Sequence, residues 1–188
     1  VNKVRIITGI YKGRRLFSPK DESIRPTSDM VKESIFNMIA PDISDAVVVD
    51  LFCGSGNLGI EALSRGASRA YFIDKSRTSI ELAKKNIQHC QAENNSVILN
   101  ADFATGLKLI REKVDIIFLD PPYESGLLLQ AFESIQKSKV MKTDGILVLE
   151  HKKGLDLPEE INDFKRIKIK RYGSIYIEVF ENQGEDKE

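Results

Sequence analysis

From residue 46 onward, short apolar runs and amphipathic stretches take turns along the chain. Apolar residues dominate 46–52, 70–73, 97–99, 114–119 and 145–150, each bounded by turn-forming or charged residues, and these runs read as strands. Between them lie helical patterns over about 57–65, 76–90, 103–111 and 126–138. In the second of these, Ile80, Ala83 and Ile87 recur at spacings of three and four. Alternation of strand and helix predicts a mostly parallel, twisted α/β sheet with helices on both faces. Two further strands, near 164–171 and 174–181, are joined by Tyr172-Gly173 and form a closing hairpin, which brings the expected count to seven.

The first forty residues follow a different pattern. Residues 5–10 and 14–17 flank Tyr11-Lys12-Gly13, which predicts a hairpin. Ser28 or Thr27 then serves as N-cap for a helix with Asp29 in its first turn and an apolar stripe of Val31, Ile35, Met38 and Ile39, closed by Pro41. The expected organisation is one domain over 1–188, with an N-terminal hairpin and helix over 1–40, a catalytic core over 41–181 and a fraying tail over 182–188. The length of 188 residues agrees with one domain at roughly 150 residues each.

Charge changes this picture in one place. The 28 basic and 28 acidic residues cancel overall, yet the first twenty residues carry Lys3, Arg5, Lys12, Arg14, Arg15 and Lys20 without a single acid. That excess exceeds what solubility requires and points to nucleic acid. A second basic run, Lys165, Arg166, Lys168, Lys170 and Arg171, is interleaved with Phe164, Ile167 and Ile169 and reads first as an edge strand wetted on one side, with phosphate contact as the alternative. The longest apolar runs are far short of the about 18 residues that a membrane span needs, and the N-terminus lacks the apolar core of a signal peptide. Cys53, Cys90, His89 and His151 cannot close a zinc site without carboxylate help, so no metal is expected. A cytoplasmic location with reduced thiols follows as an expectation.

Two loops carry candidate chemistry. After the first core strand comes Gly54-Ser55-Gly56-Asn57-Leu58-Gly59, a G-x-G-x-x-G loop leading into a helix, with Asp74 closing the next strand twenty residues after Gly54. Such a loop lets a ligand approach the backbone and the helix N-terminus, and the acid suits a ribose. By itself it fits a nicotinamide cofactor as well as others. The strand ends discriminate. Asp50, Asp74, Asp102 and Asp120 end four successive strands. Each alone reads first as a helix cap or a solvated loop acid, but together they line the edge where ligands bind in open parallel sheets. Such a rim repels a pyrophosphate and suits the sulfonium, ammonium and hydroxyls of S-adenosylmethionine.

The second loop is Asp120-Pro121-Pro122-Tyr123, after the fourth strand. Two prolines stiffen it. The Asp120 carboxylate and the Pro121 carbonyl are suited to hold the two N–H bonds of an exocyclic amine, and Tyr123 to stack on a flipped base. This inventory suits methylation of a base amine, with in-line positioning supplying the remainder.

The sequence Asp50–Ala67 together with Asp120–Tyr123 resembles the class I S-adenosylmethionine-dependent methyltransferases. With Arg25-Pro26-Thr27, the stretch Glu33–Asn37, and the hairpin residues Arg5–Gly9 and Lys12–Leu16, nearly the whole chain resembles the RsmD family, bacterial enzymes that methylate guanine N2 in small-subunit (16S) ribosomal RNA. The resemblance implies a Rossmann-like fold. It places Asp50, Gly54, Ser55 and Gly56 at the methionine end of the cofactor, with Phe52 also on the cofactor side. Asp74 is implied at the ribose, Asp102 and Phe103 at the adenine, and Asp120, Pro121, Pro122 and Tyr123 at the target amine. Lys12, Arg14, Arg15, Arg25 and Thr27 are implied to contact RNA, either free or within a partly assembled small subunit. Cys53 departs from the alanine common in the family and reads as a packing residue. The rival readings are adenine-N6 methylation of RNA or DNA, glutamine methylation (which usually shows Asn in place of Asp120), a nicotinamide oxidoreductase, and an RNA-binding assembly factor without catalysis.

Overall fold

In a computed structural model, residues 4–19, 28–121 and 126–184 are described. Eight strands form one sheet in the order β3-β2-β1-β4-β5-β8-β7-β6. The strands are β1 (Val47–Leu51), β2 (Arg69–Asp74), β3 (Ser96–Asn100), β4 (Val114–Leu119), β5 (Met141–Lys152), β6 (Glu160–Ile161), β7 (Phe164–Tyr172) and β8 (Ile175–Asn182). The first five pair in parallel, and β8, β7 and β6 add antiparallel strands beside β5. The eighth strand, against an expectation of seven, is the two-residue β6, too short to show a periodicity in sequence.

Side-chain alternation along the central strands builds two cores. On one face Val48, Phe72, Phe118 and Val148 meet helices α1 (Asp29–Met38), α2 (Asn57–Ser64) and α3 (Arg77–Cys90). On the other, Val49, Ile73, Ile117 and Leu149 meet α4 (Phe103–Leu109) and α5 (Leu127–Ser138). Burial on both faces explains why these strands read as continuous apolar runs. Ser28 caps α1 by accepting from the Val31 N–H, Ser76 caps α3 and Asp102 caps α4. Among the described residues no helix is long and apolar enough to cross a membrane.

The N-terminal segment departs from the expected pair of strands. The hairpin is present but short: around the Arg5–Arg15 bridge, the Ile6 N–H donates to the Arg14 carbonyl, the Gly13 N–H to the Ile6 carbonyl and the Leu16 N–H to the Val4 carbonyl, and no longer ladder forms. The Ile7 and Thr8 N–H groups instead donate to the Glu61 carboxylate at 2.9 and 3.1 Å, and the Ile10 and Tyr11 N–H groups donate to Ser64. The N–H groups of 7, 8, 10 and 11 thus bond α2, while the Gly9 and Tyr11 carbonyls close the turn, and Val4, Ile6 and Leu16 enter the core. Close contact there excludes a side chain at Gly9, whose added Cβ would lie 1.7 Å from the Ser64 carbonyl oxygen. The second basic run lies on β7, which pairs with β8 along its length and is covered on its other side by β6 only at Phe164 and Lys165; Lys168 bonds the Met38 carbonyl at the end of α1, and Arg166 pairs with Glu178. Residues 182–184, expected to fray, are bonded to 142–143 and 163.

Candidate active site

The site lies along the C-terminal ends of β2, β1, β4 and β5. Leaving β1, Phe52 adopts φ +67°, strained for a side chain with a Cβ, followed by Gly54 at +52° and Gly56 at +78°. This run folds the chain back so that α2 starts directly behind the loop. The Cys53 N–H donates to the Ile73 carbonyl at 3.0 Å and the Gly54 N–H to the Asp74 carboxylate at 3.0 Å, which bind the loop to β2. The third glycine has a different duty. A Cβ on Gly59 would lie 2.4 Å from the Phe72 ring, so Gly59 lets α2 seat on the sheet.

Each acid has a distinct environment. Asp50 is buried and accepts from the Gly59 N–H at 2.9 Å. Burial pushes its carboxyl up to about 7; the Gly59 bond opposes this and the Asp74 charge adds to it. Asp74 accepts from the N–H groups of Gly54 and Ser76, at 3.0 and 2.8 Å, and retains further lone pairs for a ligand's hydroxyls. Asp102 accepts from the Thr105 hydroxyl at 2.7 Å and from its N–H at 3.0 Å, which hold its carboxyl below the usual range. The cap, the bland reading of a lone Asp, is what the structure shows there. Phe103 follows it, and its ring packs against that of Phe52 with centroids 5.4 Å apart.

Asp120 follows β4. Burial pushes its carboxyl up to about 8, with Glu150 and then Asp50 adding repulsion. Strand pairing explains the grouping. Leu119 is opposite Leu149, so Asp120, just past β4, stands level with Glu150, which lies within β5, and Asp50, on the next strand, shares their face. Glu150 is a site residue that the strand-end argument missed, although it ends the fifth predicted strand and met the same criterion. The Cys53 thiol, pushed well up by burial and by Asp50 and Asp74, is a packing group and not a nucleophile.

Of the remaining expected site residues, Ser55 offers its carbonyl to Asn86 at 2.9 Å. Lys12 and Arg15 are exposed on the N-terminal turn, and the Arg14 guanidinium lies 5.3 Å over the Tyr11 ring while donating to the His89 carbonyl. Pro121 lies at the end of a described segment; Arg25, Thr27, Pro122 and Tyr123 lie outside the described residues. A cleft of about 500 Å³ bordered by Lys113, Met141, Asp163 and Gln183 opens at the opposite ends of these strands and gathers no comparable set of acids.

Residues 4–181 match the family described as "Conserved hypothetical protein 95". The chain is 35% identical to ribosomal RNA small subunit methyltransferase D of Haemophilus influenzae, with 96% of this chain and 94% of that protein covered. It is 31% identical to the Escherichia coli protein of the same name, with 97% and 92% covered. The chain belongs to the RsmD family. A solved Escherichia coli structure superposes with a TM-score of 0.86 at 30% identity, covering 96% of this chain and 98% of that one, and a Haemophilus influenzae structure gives 0.80 at 30% identity, covering 97% and 99%. The fold is accordingly the Rossmann-like α/β arrangement of class I methyltransferases.

Proposed function

We propose that this chain transfers a methyl group from S-adenosylmethionine to the exocyclic N2 of a guanine in small-subunit (16S) ribosomal RNA, in the cytoplasm, on free RNA or on a partly assembled subunit. The observation that carries the reading is the grouping of Asp50, Asp120 and Glu150 on adjacent strand ends, where the influences on Asp50 and Asp120 are burial, one N–H bond and other carboxylates. A crowded set of acids of this kind is relieved by a cation, and the sulfonium donor brings two positive centres. The two closely related proteins named above, both called small-subunit ribosomal RNA methyltransferases, support the substrate class.

The donor supplies an electrophilic methyl when bound. The loop Gly54–Gly56 and Asp50 would hold its methionine end, Asp74 its ribose hydroxyls, and Asp102 with the Phe52 and Phe103 rings its adenine. Asp120 and the Pro121 carbonyl would accept the two N–H bonds of the guanine amine. Drawn toward tetrahedral geometry, the nitrogen then aims its lone pair along the line of transfer, while Tyr123 stacks on the base. The Asp120 carboxylate would take the surplus proton that the amine sheds on methylation and pass it to water.

Tritiated-methyl transfer to 16S ribosomal RNA and to partly assembled small subunits, followed by nucleoside analysis, tests the reading. N2-methylguanosine is the expected product. N6-methyladenosine in its place would overturn the assignment of the base, and saturable nicotinamide-nucleotide binding without methyl transfer would overturn the reaction.

A further inference from the structure

Phe17 keeps part of its aromatic ring exposed on a backbone that is fixed on both sides. Its side chain belongs to a residue 40% exposed. Its N–H donates to Asn86 Oδ1 at 2.7 Å, and its carbonyl accepts from Asn86 Nδ2 at 2.9 Å. Asn86 is fully buried on α3, and the same Nδ2 donates to the carbonyl of Ser55 in the glycine loop at 2.9 Å. One buried amide therefore sets the distance between an exposed aromatic residue and the cofactor loop.

Cations and rings surround Phe17. The Lys85 ammonium sits 3.8 Å from its ring centroid, and the His89 ring meets it edge-on at 5.4 Å. One turn away, Arg14 donates to the His89 carbonyl at 3.0 Å and covers Tyr11. An exposed ring on a rigid backbone, bordered by mobile cations, matches the way single-stranded nucleic acid is held, with the base on the ring and the phosphates on the cations.

We propose that Phe17 is a stacking platform for an unpaired base of the RNA substrate, with Lys85 and Arg14 meeting the flanking phosphates and Asn86 fixing the platform relative to the methyl-donor loop. This rests on the RNA reading above and extends the expected RNA surface from the N-terminal turn onto α3, where Lys85 and His89 held no assigned role. As a base takes its place over the ring, the Lys85 ammonium moves to the neighbouring phosphate on its flexible stem.

The chain contains no tryptophan and five tyrosines, so a Phe17→Trp substitution installs a single tryptophan at the platform, excited selectively at wavelengths the tyrosines do not absorb. Titration of that variant with 16S ribosomal RNA is expected to quench the emission at the same concentrations at which wild-type protein binds. A Leu109→Trp control, on α4 across the sheet, stays unquenched. Phe17→Ala raises the Kd for RNA about tenfold, Phe17→Tyr restores it, and neither changes adenosylhomocysteine binding. Unaltered RNA affinity in Phe17→Ala, with unquenched Phe17→Trp, overturns the platform while wild-type methyl transfer keeps the enzymatic reading intact. A wild-type chain that neither binds nor methylates RNA removes both.

Discussion

Lys32 of α1 and Glu61 of α2 form an ion pair at 3.0 Å with side-chain exposures of 1% and 0%. The Lys32 ammonium also donates to Asn57 Oδ1 at 2.8 Å and to the Arg5 carbonyl. Glu61 further accepts from Arg65 and from the Ile7 and Thr8 N–H groups. This network fastens the N-terminal segment and α1 to the helix that follows the glycine loop. Removing one partner leaves the other charge buried, so Lys32→Met or Glu61→Gln is expected to cost about 3–5 kcal/mol in urea unfolding. The double variant should fall short of the sum of the two losses, because the residues share one network. Strict additivity would show that the pair is not coupled.

Asp120 holds its proton to about 8 in the cofactor-free protein. If the carboxylate grips the amine, kcat/KM for the methyl donor, which reports the donor-free protein, rises about tenfold per pH unit below that value and levels above it, and the bound sulfonium moves the kcat profile to lower pH. Glu150 raises the Asp120 carboxyl by repulsion, so Glu150→Gln shifts the profile toward lower pH. Asp120→Asn removes the step and lowers kcat about a hundredfold or more. A linkage effect accompanies it. With the folded carboxyl above its unfolded value of about 4, the native state holds the extra proton, and stability declines as pH rises from about 4 to 8. Asp120→Asn flattens that decline, which thermal unfolding across pH would record.

Asp50 makes a parallel prediction for binding. Its carboxyl sits at about 7 in the cofactor-free protein, and the ionised form is the one that attracts a cationic ligand. Affinity for adenosylhomocysteine, measured by calorimetry, is expected to rise with pH up to about 7 and then to flatten while the ligand's ammonium stays charged. Asp50→Asn binds weakly with no such rise. An affinity independent of pH between 5 and 8 in the wild type would free Asp50 from this role.

Gly59 is fixed by contact rather than by φ. A methyl there meets the Phe72 ring at 2.4 Å, and both residues are in the core. Gly59→Ala is expected to destabilise by about 1–3 kcal/mol. Shortening the opposing ring with Phe72→Leu should recover part of that loss in the double variant. If Gly59→Ala is neutral on its own, α2 has more freedom against β2 than the packing indicates.

Local chemistry in the sequence determined most of the framework. The runs from Val47 to Leu119 are apolar because both faces of the central sheet are covered, Ser28 and Ser76 announce helix starts, and Gly54-Ser55-Gly56 before a helix marks the ligand loop. These features depend on residues a few positions apart, so they are readable in one dimension. Three-dimensional pairing decided the rest. Strand register set Glu150 beside Asp120 across thirty residues. Glu61 took up the Ile7 and Thr8 N–H groups where the short hairpin ladder stops. Asn86, one more polar residue on an amphipathic helix, became the link between Phe17 and Ser55. A buried polar side chain must find its partners wherever the fold brings them, and sequence spacing carries no record of which distant groups those are.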